Sequence, residues 1–112
     1  MNTTNLYPDF EAAKASALTR LDRELPKAMY YHSVWHTRDA VLPQVNLLME
    51  QEQLAGRPRL WVQTAALYHD IGFTRSSIDH ERLSVQMATD ILPRFGYLSS
   101  DIHAIPKIII AT

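Results

Sequence analysis

Residues 58–73 read PRLWVQTAALYHDIGF, from Pro58 to Phe73. Leu60, Trp61, Ala65 and Tyr68 line one face at helical spacing, Pro58 suits a first turn that needs no amide donor, and Gly72 is placed to stop the helix. The end of that helix sets His69 beside Asp70 just where the apolar pattern enters a core. Taken alone, such a dipeptide is a surface pair or a hydrogen-bonded helix end. It becomes chemistry only if the rest of the chain brings partners to it.

Working outward, the same helical period recurs and strand-like alternation does not. Phe10, Ala13, Ala17, Leu21 and Leu25 form a stripe that predicts a first helix over 9–25, stopped by Pro26. Ser33 is the expected cap of a second helix carrying Val34, Val41, Val45, Leu48 and Met49, kinked at Pro43 and ended near Gly56. After the polar loop Thr74-Arg75-Ser76-Ser77, Ser77 or Asp79 is the expected cap of a fourth helix with Leu83, Met87, Ala88 and Ile91 inward and Gly96 beyond its end. A fifth helix starts at Ser99 or Ser100 and carries Ile102, Ile105, Ile108 and Ile109. The expectation is an all-α bundle of about five helices in one domain spanning 1–112.

The 112 residues suffice to bury roughly 65% of the unfolded surface. Eleven basic and 12 acidic residues are interspersed, so no face is marked as a nucleic-acid scaffold. The chain has no cysteine, which leaves only imidazole and carboxylate to hold any metal. The first ten residues lack the layout of a signal peptide, and no apolar run is long enough for a membrane span, so a cytoplasmic location is expected. Ile108-Ile109-Ile110-Ala111-Thr112 stays apolar to the last residue without a stop signal. That pattern is expected of a chain cut short, or of an end covered by a partner such as a second copy in a homodimer.

His32 and His36 lie four apart and share a helix face if the second helix reaches back that far. An adjacent pair such as His69-Asp70 can reach one metal only where a helix ends and frees its side-chain directions, which Gly72 allows. Tyr30 and the segments YHSVWHTRDAV (31–41), ALYHDIGF (66–73) and HERLSVQMATDILPRFGY (80–97) together resemble the HD superfamily of metal-dependent phosphohydrolases, in order and spacing, over roughly residues 30 to 112. The resemblance implies a helical bundle in which a histidine, a His-Asp pair and a closing aspartate bind a divalent metal that activates water against a phosphoester.

Carried over residue by residue, it makes His36 the first ligand and His69 and Asp70 the central pair. The closing aspartate has no match, and Asp101 lies too early to supply it. His32 corresponds to the histidine that protonates the leaving oxygen in cyclic-nucleotide phosphodiesterases, distant relatives of that superfamily, and an imidazole with an ordinary pKa near ~6.5 suits that task. His80, followed by Glu81, fits a position that ligates metal in two-metal members. Those members carry two further histidines where this chain has Ile109, Ile110 and Thr112, so one ion is implied, with His80, Glu81 and Arg75 as candidate metal, water or substrate contacts. Two imidazoles and a carboxylate suit manganese, zinc, iron, nickel or cobalt better than magnesium. Arg38 and Arg82 are further cations near the motifs, and a planar guanidinium is a natural phosphate partner. The expected function is a metal-dependent phosphohydrolase acting on a small phosphorylated substrate, a nucleotide included. The alternative is a non-catalytic metal-binding or dimerisation and signalling module that lacks the fourth ligand.

Overall fold

A computed structural model describes residues 7–24 and 36–111. Every regular element among them is helical: α1 (Phe10–Glu24), a π-helical turn (His36–Val41), α2 (Leu42–Gln51), α3 (Gly56–Tyr68), a 3₁₀ turn (Ile71–Thr74), α4 (His80–Ile91), a second 3₁₀ turn (Leu92–Phe95) and α5 (Ser99–Ala111). The fold is all-α, as the periodicity predicts. None of these helices is long and apolar enough to cross a membrane.

The sequence-predicted stripe of α1 is the face it buries, with Ala13, Ala17 and Leu21 almost wholly enclosed. Asp9 caps the helix by accepting from the Ala12 amide at 3.0 Å, a contribution of about 1 kcal/mol. The two alanines let α1 approach α3 closely. There the Tyr68 hydroxyl donates to the Ala13 carbonyl at 2.9 Å, and burial pushes that phenol up to about 12. Leu60, Leu67 and Ile71 join Met87, Leu92, Ile105 and Ile109 in one core. Each such side chain contributes roughly 1.5–3 kcal/mol relative to exposure.

The second helix differs from its expected form. Before Pro43 the chain is wound as a π-helix, and Pro43 sits in the first turn of α2, where its missing N–H breaks no ladder bond. α2 ends at Gln51, earlier than Gly56, because Gln53 takes a left-handed conformation (φ 57°) that reverses the chain. Gly56, itself at φ 66°, opens α3 instead of closing α2. The expected cap Ser33 lies outside the described residues, as do Leu25, Pro26 and Val34. Neither Ser77 nor Asp79 caps α4 through its side chain; Asp79 is left-handed at φ 59° and pairs weakly with exposed Arg82.

α5 corrects the expectation of an uncovered apolar end. Ile105 and Ile109 are enclosed by the chain's own core, Ile108 is half-buried against it, and only Ile110 on the opposite side is well exposed. The helix is anchored at its start by Asp101. This carboxylate accepts from Arg57 Nε and Nη2 at 2.8 and 3.1 Å, from the Trp61 indole at 2.7 Å and from the Leu98 amide at 2.7 Å. It ties the first turns of α3 and α5 together, a structural duty that leaves it no role as a metal ligand.

Candidate metal centre

His36 opens the π-helical turn, while His69 and Asp70 follow the last residue of α3. His69 still has helical angles, but Asp70 lies at φ −108°, ψ 4°, the bridge region where the chain leaves the helix. The change of direction lets two neighbouring side chains meet: His69 Nε2 lies 3.1 Å from Asp70 Oδ2. His36 arrives from the other side, so that one donor atom from each of the three residues lies within 4.8 Å of the others. The expected ligand trio is therefore brought together across 32 intervening residues of sequence.

The geometry suits one ion. Bonds of about 2.0–2.2 Å allow donors to be at most about 4.4 Å apart, so the widest separation closes by a few tenths of an ångström; neighbouring ligands at right angles stand about 3 Å apart, as His69 and Asp70 do. His69 is also oriented from behind, because its Nδ1–H donates to the Ala66 carbonyl at 2.6 Å. That bond fixes the ring and leaves Nε2 facing the centre, the usual support for a ligating histidine. Without metal, burial pulls the His69 imidazole towards lower pKa, but the Asp70 carboxylate and the Ala66 carbonyl outweigh it and hold the group above its ordinary value.

The backbone of the pair is locked to α4 by Ser84, which sequence reasoning passed over. Its hydroxyl donates to the His69 carbonyl at 2.9 Å and accepts from the Gly72 amide at 2.8 Å. The signal was present: Ser84 is a small polar residue in line with the inward positions Met87 and Ala88, three and four residues later. Gly72 serves this approach rather than a left-handed helix stop. A Cβ there would fall 2.0 Å from the His80 carbonyl oxygen and 2.7 Å from the Ser84 amide, both backbone atoms that cannot rotate away. Gly72→Ala is expected to push α4 off the pair and to destabilise the fold by about 3 kcal/mol, measured by urea denaturation; a loss under about 0.5 kcal/mol would contradict this packing.

His80 stacks on Phe73, with ring centroids 4.0 Å apart and planes 18° from parallel, outside the ligand trio. Glu81 is exposed in the first turn of α4, where the helix dipole favours it. Arg75 is exposed and, among the described residues, has no ion pair, whereas Arg38 is bidentate to Asp39 at 2.8 and 3.0 Å. His32 lies outside the described residues. His103 is exposed.

No protein-family model, curated protein or solved structure matches this chain.

Function has therefore to be read from the chain's own side chains. One of them is a surprise: Thr37, next to His36, is fully enclosed and its hydroxyl has no hydrogen-bond partner among the described residues. π-helical turns recur at functional sites, where the wider winding re-aims a side chain. Here that winding carries His36 at its first residue.

Proposed function

We propose that this chain is a metal-dependent phosphohydrolase domain of the HD type, working in the cytoplasm on a small phosphoester, a nucleotide included. The observation that carries the reading is the convergence of His36 with the adjacent pair His69 and Asp70. Two imidazoles and a carboxylate would hold one ion of manganese, zinc, iron, nickel or cobalt. Such an ion, when bound, supplies the positive charge that activates water and polarises a phosphoryl oxygen.

The chain's own residues have separable tasks. Asp70 brings the negative charge that offsets part of the ion's, and the Ala66 carbonyl keeps the His69 ring aligned. Buried Ser84 and Gly72 hold the turn that aims both side chains inward. Arg75, exposed beyond the pair, is the cation to grip a phosphate through its planar fork. His32, on the resemblance of its segment, is the proton donor to the leaving oxygen.

The mutual pairing of His69 and Asp70 also supports a second reading, a helical module in which the pair merely closes α3. Titration with manganese, zinc, nickel or cobalt separates the two. The hydrolase reading expects one equivalent to bind the folded chain and binding to be lost in His36→Ala, followed by isothermal calorimetry and elemental analysis. Absence of uptake for every one of these ions by folded protein would leave the module.

A further inference from the structure

A cleft of about 150 Å³ opens beside the candidate centre, walled by Val41 and Val45, by Val62 and Ala65 of α3, by the His69 ring just after it, and by Ile108 of α5. Every wall but the His69 ring is aliphatic. Four of those aliphatic residues, Val41, Val45, Val62 and Ile108, are only half-buried, so the surface is open to an entering group. An apolar space of this size matches the volume of a benzene-sized group. Pockets that hold whole ligands measure about 300–1,000 Å³, so this one has room for part of a substrate only.

Its position says which part. The His69 ring is shared: it walls the cleft, while its Nε2 faces Asp70 at 3.1 Å. Val41, also in the lining, closes the π-helical turn that His36 opens. A group lodged among these residues thus lies against the ligand trio without competing for its donor atoms. We propose that the cleft receives the apolar portion of the substrate's leaving group, a ring or branched alkyl group of about benzene size, while the phosphoryl group lies at the trio. This inference rests on the phosphohydrolase reading and narrows its substrate class to phosphoesters with a compact apolar leaving group.

Two non-hydrolysable probes test it: phenylphosphonate and methylphosphonate, which share a head group and differ in the apolar part. Calorimetric titration of the manganese-loaded chain is expected to show phenylphosphonate binding tighter by about tenfold or more. Val62→Phe and, separately, Val45→Phe fill the cleft and are expected to bring the ratio of the two affinities towards one. Equal affinities in the unaltered chain, or a ratio that survives in a folded filled variant, overturn the cleft assignment while leaving the metal centre in place. If neither phosphonate binds, the phosphoester reading itself fails and the cleft assignment falls with it.

Discussion

Asp70→Ala is expected to lower manganese or zinc affinity by more than about 100-fold and to abolish hydrolysis of a generic phosphoester. Changes to the outer partners of metal ligands already cost about 10–100-fold, and Asp70 is the only anionic member of the trio. The loss of its charge-assisted contact with His69 costs about 1.5–3 kcal/mol, and circular dichroism checks that the fold is kept. Calorimetry for the metal, a p-nitrophenyl phosphodiester for turnover and circular dichroism for the fold make the three readouts. Wild-type turnover in folded Asp70→Ala would remove the hydrolase reading outright.

What made the trio legible was local grammar combined with resemblance. A His-Asp pair at the end of an apolar helix can be read from residues 58–73, because the end of a helix is where adjacent side chains can converge. Spacing alone could not bring His36 to it. The two are 33 residues apart, and their meeting depends on how α2 packs against α3. The stripe of α1 was legible for a simpler reason: Ala13, Ala17 and Leu21 follow the period of the helix itself.

The misreadings share one physical cause, which is that a residue's local preference does not reveal what tertiary structure lies beside it. Gly72 reads as a left-handed stop because glycine allows positive φ, yet the α4 backbone pressed against it is what forbids a side chain. Pro43 reads as a kink in a helix, but the π-helical winding before it places the proline in a first turn. The isoleucines of α5 read as an uncovered end because their partners Leu60, Leu67 and Met87 come from elements far away in sequence. The apolar cleft was invisible for the same reason: its walls come from four helical segments, the π-helical turn, α2, α3 and α5, and single half-buried valines carry no signal.

The largest stability effect is expected at Asp101. Its carboxylate is fully enclosed and receives four donors, so Asp101→Ala takes the shared acceptor from the Arg57 guanidinium, the Trp61 indole and the Leu98 amide at once. Arg57 keeps 28% of its side chain in solvent, so the loss is that of hydrogen bonds to a charged group, about 1.5–3 kcal/mol each, against a total of about 5–15 kcal/mol for a domain. Burial alone would raise the Asp101 pKa, but the hydrogen bonds from Arg57, Trp61 and the Leu98 amide, with the charge of Arg57, outweigh it and hold the group below the usual carboxylate range. A group depressed in the folded state stabilises it above the unfolded value of about 3.9 and loses that contribution as pH falls through the folded value. The unaltered chain should therefore lose stability steeply below about pH 4. In Asp101→Asn, which keeps the shape but cannot ionise, stability at pH 7 should be lower and this part of the acid slope should vanish. Urea denaturation from pH 7 to pH 2.5 measures both. Equal stability of the Asn variant and the unaltered chain at pH 7, or an unchanged acid slope, would show that Asp101 does not hold α3 and α5 together by charge.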